Sequence, residues 1–237
     1  MSLLYEQQTV LVTGSSKGIG KSLCEHFLAN GARVVGMSRS AATIENPNYI
    51  HYSVDITDEK AVVEVFRRVR TDVDSVEVLV NNAGVATSQF TALMPGSSAE
   101  AMMKTNFLGA FLITKECTKL MMKKKYGRVI HISSMMLPLS PVGSAIYSAT
   151  KSALTQFSKV FAKEVSAYDI TSNTIGISAI ESDMWSQLSK EKLAESLAEL
   201  PIKRPATMDE LTHLIDFLAE KKSRNITGQV IYLNGAS

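Results

Sequence analysis

The sequence predicts an α/β fold, a doubly wound parallel sheet with helices on both faces. Short apolar, β-branched runs alternate along the chain with longer stretches of helical periodicity, the rhythm of right-handed βαβ units. A glycine-rich turn follows the first apolar run directly and opens the first helical stretch. The 237 residues, 45% hydrophobic and 20% charged, suit one large domain able to bury a substantial core.

Thr9–Thr13 is a β-branched run suited to a strand buried on both faces. The helix after the glycine turn runs to about Asn30 and is closed by Gly31 as a C-terminal cap. Residues 33–37 and 49–54 read as the second and third strands. A helix over 57–70 takes Thr57 as N-cap, and Lys60 leaves it without a full capping box. Residues 76–80 form the fourth strand. Helices over 98–125, broken near Asn106, lead into a strand over 128–133. A Pro/Ser/Gly loop at 138–144 precedes a helix over 146–168 and a strand over 171–177. Residues 182–200 and 208–220 read as helical, and 229–232 as the closing strand. No repeat, low-complexity tract or linker interrupts the series. Residues 1–237 therefore read as one domain, with a substrate loop over 178–205.

Lys and Arg number 25 against 23 Asp and Glu, a net charge of +2. That is too small to draw nucleic acid or an anionic membrane. Lys123, Lys124 and Lys125 form a basic run at a helix end, where cations complement the helix C-terminus. Cys24 and Cys117 lie in apolar patterns far apart and read as buried free thiols of a reducing compartment. The four histidines are scattered, so no metal site is expected. The start of the chain lacks signal-peptide character, and no apolar run approaches the roughly 18 residues needed to span a bilayer. A cytoplasmic protein is expected.

Two constellations carry chemistry. Gly14-Ser-Ser-Lys-Gly18-Ile-Gly20 lies between a strand and a helix, the context that makes a glycine pattern a phosphate site rather than a mere loop. Gly14 permits the sharp turn, Gly18 the approach of backbone to a pyrophosphate, and Gly20 tight helix–strand packing. Further on, Tyr147 and Lys151 stand four apart on one helical face, with Ser134 thirteen residues upstream at a strand end. An ammonium beside a phenol favours its ionised form, lowering a pKa that starts near ~10. Such a pair is ordinarily a surface pair. Its position downstream of a nucleotide signature is what raises it.

Residues 13–20 (TGSSKGIG), Asn81-Asn82-Ala83-Gly84, Asn106, Ser134 and Tyr147-x-x-x-Lys151 stand in the order of the short-chain dehydrogenases/reductases, which have a Rossmann-type fold. The chain resembles that family over almost its whole length, to the closing Ile226-Thr-Gly-Gln and Asn234-Gly235, and looks nearest to bacterial 3-oxoacyl-acyl-carrier-protein reductases. The resemblance implies that Gly14, Ser16, Lys17, Gly18, Ile19 and Gly20 surround the cofactor pyrophosphate. Asn82, Ala83 and Gly84 would lie by the adenosine ribose, and Asp55 with Ile56 by the adenine, unless Asp55 merely caps the next helix. An NAD enzyme needs an acid at the end of the second strand; this chain has Ser38, then Arg39, with Lys17 in the loop, which favours NADP(H).

By the same resemblance Tyr147 is the acid/base and Ser134 holds the substrate carbonyl. Lys151 lowers the Tyr147 pKa and binds the nicotinamide ribose, Asn106 orients a proton-relay water, and Ile180 and Ser182 hold the carboxamide. Ser133 is the rival to Ser134, and the interval to Tyr147 selects the latter. The chain departs from the family at Ile177-Ser178, where Pro-Gly is usual. Met135, Met136, Leu137, Leu139, Val142 and Trp185 read as core or as the lining of an apolar pocket. Of two basic positions that dock an acidic carrier protein in the reductases, Lys125 keeps one and Tyr168 occupies the other.

The resulting expectation is an NADPH-dependent reductase of a 3-oxoacyl thioester or related carbonyl, small or carrier-linked. A sugar or secondary-alcohol dehydrogenase, and a catalytically weak nucleotide-sensing protein, are the alternatives. The helices over 98–125 and 146–168 carry more apolar surface than one sheet face needs, and together with the family resemblance this implies a homotetramer.

Overall fold

The computed structural model describes residues 3–41, 43–178, 180, 198 and 200–235. Among them seven strands form one sheet: β1 (Thr9–Thr13), β2 (Arg33–Ser38), β3 (Tyr49–Ser53), β4 (Val78–Asn81), β5 (Gly127–Ser134), β6 (Ile170–Ile177) and β7 (Val230–Tyr232). Their order is β3-β2-β1-β4-β5-β6-β7, and every neighbouring pair is parallel. The order reverses between β1 and β4, so the crevice for a ligand opens there, at the carboxyl ends of the strands.

Helices cover both faces, and strand alternation divides the core between them. On one face Leu11, Val35, Leu79 and Val129 meet α2 (Glu59–Asp72) and α4 (Ala110–Lys124) through Val62, Phe66, Val69, Ile113 and Met121. On the other, Val10, Val12, Val34, Val78 and Ile130 meet α1 (Gly18–Ala29) and α7 (Met208–Ala219) through Leu23, Phe27, Leu211 and Ile215. Each such side chain contributes about 1.5–3 kcal/mol on full burial. The remaining helices are α3 (Gly96–Met103), the single turn α5 (Met136–Leu139) and α6 (Ala145–Glu164).

Four elements differ from the sequence reading. The N-cap of α2 is Asp58, whose carboxylate accepts from the Ala61 N–H at 3.1 Å; Thr57 is drawn away because its own N–H and hydroxyl bond Asp55. The expected break near Asn106 is instead a π-helical turn, Lys104–Gly109, that joins α3 to α4 without interruption. Part of the loop at 138–144 is taken by α5, whose last turn closes on the Met135 carbonyl. The helix α6 ends at Glu164, and a 3₁₀ turn with left-handed Asp169 carries the chain into β6. The expected helix over 182–200 falls almost wholly outside the described residues. A reciprocal capping box between Thr207 and Glu210, unread in the sequence, starts α7.

Candidate active site

The cofactor end is built by the turn between β1 and α1. Gly14 takes φ +70°, and a Cβ there would sit 3.0 Å from the Ala83 Cα. A Cβ on Gly20 would collide with the Gly14 carbonyl oxygen, so helix and turn pack at a distance only glycine allows. Gly18, by contrast, faces open space, and the Lys17 N-cap is extended with no side chain capping the helix. Free N–H groups and an empty cradle at the start of a twelve-residue helix fit a phosphate group. Ser16 and Ile19 are half-buried within this turn, and Lys17 is exposed.

Thr13 fixes the opposite wall. Its hydroxyl oxygen accepts from the Asn82 and Ala83 N–H groups, both at 3.0 Å, while Asn82 Nδ2 donates to the Thr13 carbonyl. Asn81 turns into the core toward Thr114 and His131. At the adenosine end, Asp55 Oδ1 accepts from the N–H and hydroxyl of Thr57 at 2.9 and 2.8 Å. Those bonds, chiefly the backbone one, hold its carboxyl below the ordinary range, with Arg39 adding to the effect. Asp55 therefore closes a local turn, while Ile56 is buried against Gly109. Ser38 is buried at the end of β2, and Arg39 beside it is exposed.

The reaction end is buried and wired before any ligand arrives. Ser134 ends β5, its oxygen accepts from the Met136 N–H at 3.1 Å, and it lies close enough to Tyr147 of α6 to favour the ionised phenol. Ser133 points away, to Thr155. Asn106 is fully buried in the π turn: Oδ1 accepts from the Val85 N–H, and Nδ2 donates to the Val85 carbonyl and Thr150 Oγ1. Thr150 Oγ1 in turn donates to the Tyr147 carbonyl at 2.7 Å. Thr150, unremarked in the sequence, thus links the π turn to α6. Its signal was position: one residue before Lys151, on the face toward Asn106.

One electrostatic expectation is corrected. Lys151 donates to the Ile132 carbonyl at 2.8 Å, and its ammonium is not among the influences on Tyr147. Burial pushes the Tyr147 phenol above its ordinary range, and only the Ser134 hydrogen bond works the other way. Lys151 itself is pulled down to about 8 by burial. His131 beside it is driven to about 3, first by burial and then by the Lys151 charge, and so stays neutral. The amine still borders the cofactor wall: a Cβ placed on Gly84 would lie 3.5 Å from Lys151 Nζ and 3.3 Å from Asn106 Oδ1.

The family model for short chain dehydrogenases matches residues 8–193. The chain belongs to the short chain dehydrogenase family. It is 33% identical to the 3-oxoacyl-[acyl-carrier-protein] reductases FabG of Salmonella typhimurium and Escherichia coli, over 98% of this chain and 97% of each relative. Among solved structures it resembles a putative gluconate dehydrogenase from Agrobacterium tumefaciens, with TM-score 0.89 and 27% identity over 99% of this chain and 98% of that one. It also resembles ElxO with NADP bound, with TM-score 0.88 and 27% identity over 95% and 96%. This member of the short chain dehydrogenases is an oxidoreductase that uses a nicotinamide cofactor.

Around the substrate side, Met135 is buried, Leu137 and Leu139 are half-buried, and Met136 and Val142 are exposed. Trp185 and Ser182 lie outside the described residues. Ile180 is buried and bridges to Ala206. At the departure from the family pattern, β6 runs on through Ile177, paired with Ser134, and its carbonyl accepts from the Met135 N–H. Ser178 then bonds Asn234 at 2.8 Å. Where a Pro would have withheld an N–H, this chain extends strand pairing to Ser134. Among the described residues no His/Cys/Asp/Glu group could hold a metal, and no helix is long and apolar enough to cross a membrane.

Proposed function

We propose that the protein is an NADPH-dependent carbonyl reductase whose substrate is a 3-oxoacyl thioester or a close relative, reduced to the secondary alcohol. What carries this reading is Ser134 set beside Tyr147, one helical turn from a buried Lys151, in a chain a third identical to 3-oxoacyl reductases. When bound, the nicotinamide supplies hydride to the carbonyl carbon. The Tyr147 phenol, kept protonated by burial, gives its proton to the carbonyl oxygen, and the Ser134 hydroxyl holds that oxygen in place. Lys151, with a proton affinity lowered toward neutrality, restores the phenol's proton and steadies the nicotinamide ribose beside Gly84. Both Asn106 Nδ2 protons are taken by Val85 and Thr150, so a relay water near it is held by the main chain or by the second lone pair of Oδ1. Ile180 and Ser182 take the carboxamide. The cofactor lies along Gly14, Ser16, Lys17, Gly18, Ile19, Gly20, Asn82, Ala83 and Gly84, with Asp55 and Ile56 by the adenine. Ser38, Arg39 and Lys17 favour the 2′-phosphate of NADPH. ElxO, a structural relative, binds NADP.

Carrier docking rests on exposed Lys125 alone, because Tyr168 at the second position is packed against the core. Exposed Leu108 of the π turn, Phe111 of α4 and Val160 of α6 support the homotetramer, and two buried free thiols fit a reducing cytoplasm. Light scattering reads the first: a stable monomer at micromolar concentration would contradict it. A second reading, a sugar or secondary-alcohol dehydrogenase, draws on the likeness to the putative gluconate dehydrogenase. A panel of 3-oxoacyl thioesters, sugars and secondary alcohols assayed with both cofactors separates the two. NADPH-linked reduction of thioesters is expected; activity confined to polyols would favour the second.

A further inference from the structure

The geometry points to His51 as a further specificity residue of the cofactor site, a hydrogen-bond donor to Ser38 that reads the 2′-phosphate through it. The inference rests on the NADPH reading above and deepens it.

His51 lies on β3, in register with Gly36 and on the same sheet face as Ser38. Its Nε2 is 2.8 Å from the Ser38 oxygen, and that oxygen is also 2.8 Å from the Ser40 carbonyl. Ser38 owns one proton. If it donates to Ser40, the imidazole must donate Nε2–H to Ser38, leaving Nδ1 as the site where a proton adds. An incoming phosphate changes this arrangement. The Ser38 proton turns from the Ser40 carbonyl to a phosphate oxygen, while the imidazole grips the Ser38 oxygen from behind. Protonation of Nδ1 then adds a cation behind Ser38, beside Arg39 and Lys17, where the dianion arrives.

The surroundings hold the ring in position for this. Tyr49, from the same strand, stacks on it at 6.3 Å and 26°. Gly36 makes the room, since a Cβ there would collide with the Tyr49 hydroxyl and Ser15 Oγ beneath the glycine turn. The titratable groups packed near it are the Tyr49 phenol, raised to about 12, and the buried Cys24 thiol of α1 beyond it, likewise about 12; both are neutral near pH 7. Arg39 follows Ser38 on β2, and Asp55 lies beyond β3 within reach of the Arg39 charge. Burial is the one cause that shifts His51, keeping it below its ordinary range and neutral before the cofactor binds.

The sign follows. A phosphate raises the imidazole pKa in the complex, so NADPH binding gains as pH falls through the bound value and gains no further below the free value. NADH has no such term. A shift of about one unit corresponds to tenfold in affinity. The cofactor phosphate titrates too, near ~6, so the signal is the difference between the protein and a variant.

Calorimetric titrations of NADPH and NADH from about pH 6 to 8.5, spanning the ordinary histidine range, in buffers of differing ionisation enthalpy, test this. They compare the unmodified protein with His51→Asn and His51→Gln. Proton uptake on binding NADPH but not NADH is expected, larger in the unmodified protein than in either variant. The NADPH/NADH affinity ratio should rise by up to about tenfold more toward low pH when His51 is present. Coincident pH profiles, with NADPH still preferred at the alkaline end, would sink the role of His51 and leave the cofactor reading standing. Equal affinities for both cofactors at every pH would overturn the cofactor reading and the inference with it. Should neither variant fold, NMR titration of the imidazoles in the unmodified protein decides. A histidine pKa raised by NADPH and not by NADH supports the role, and none raised overturns it.

Discussion

The reaction end and the adenosine end of this crevice are built on opposite plans. Around Tyr147 the polar groups are buried and partnered: Ser134 on the Met136 N–H, Lys151 on the Ile132 carbonyl, Asn106 on Val85 and Thr150. Around Ser38 the charges of Arg39 and Lys17 are exposed, and among the described residues neither forms an ion pair. The contrast teaches where each property resides. On the proposed reading, chemistry is fixed by groups that cannot move without breaking buried hydrogen bonds, and cofactor choice by surface charges that can be exchanged at little cost to the fold.

The largest break in that contrast comes from Tyr147→Phe. It removes the proton donor and nothing that touches the cofactor phosphates. Turnover should fall by roughly 10²–10⁴ with NADPH affinity nearly unchanged, read by steady-state kinetics beside a binding titration. Survival of most activity on a competent substrate would end the catalytic assignment.

Next is the pH dependence of stability that Lys151 imposes. Its folded value of about 8 lies below the ~10.4 of an unfolded lysine. Between those values the unfolded chain binds more protons, so this group makes stability rise with pH across the window. The cost is fully present below pH 8 and is relieved toward pH 10.4, by roughly 3 kcal/mol. Denaturant melts of the cofactor-free protein against Lys151→Met, which cannot titrate, should show the former gaining stability relative to the latter as pH rises across this window, with the buried Cys24 and Cys117 thiols contributing the same background to both. Parallel slopes would mean that burial does not lower the proton affinity of Lys151.

The reaction end was largely legible in the sequence because its groups sit at fixed chain intervals. Tyr147 and Lys151 share a helix face, and Ser134 ends a strand whose apolar pattern is unambiguous. What escaped was tertiary. The Lys151–Ile132 contact depends on how α6 lies on β5, so the expected depression of the Tyr147 pKa failed against burial. Thr57 looked like a cap because a threonine led the helical pattern, yet Asp55 claimed it and Asp58 took its place. The strands and their parallel, doubly wound class were readable, since short β-branched runs alternate with helical stretches, whereas the order of pairing was not written in any single strand. The β2–β3 register that sets His51 against Ser38 is not written in either strand alone.

At the adenosine end, Arg39→Ala should weaken NADPH about ten- to a hundredfold, the worth of a charge-assisted bond of roughly 1.5–3 kcal/mol, while NADH changes little. Ser38→Asp should reverse the preference by adding both repulsion and a ribose acceptor. High salt should erode NADPH binding more than NADH binding, because the phosphate contact is partly exposed. Salt-insensitive binding of both would place the phosphate elsewhere.

The smallest expected effect sharpens the other side. Asn106→Ala leaves the Val85 N–H and carbonyl without their side-chain partner and Thr150 with its bond to the Tyr147 carbonyl alone, and should cost roughly 1–3 kcal/mol of stability, since Val85 is open enough for water to replace part of the loss. Thermal melts read it, and an unchanged melting temperature would mean that the π turn does not depend on that side chain.

The division between the two ends is tested most directly by kcat and KM of the unmodified protein on one 3-oxoacyl thioester, with NADPH and then NADH varied. Because both cofactors present the same nicotinamide to Ser134, Tyr147 and Lys151, kcat should be nearly equal. The preference, about ten- to a hundredfold, should appear in the cofactor KM. A preference expressed in kcat, or none at all, would contradict the account.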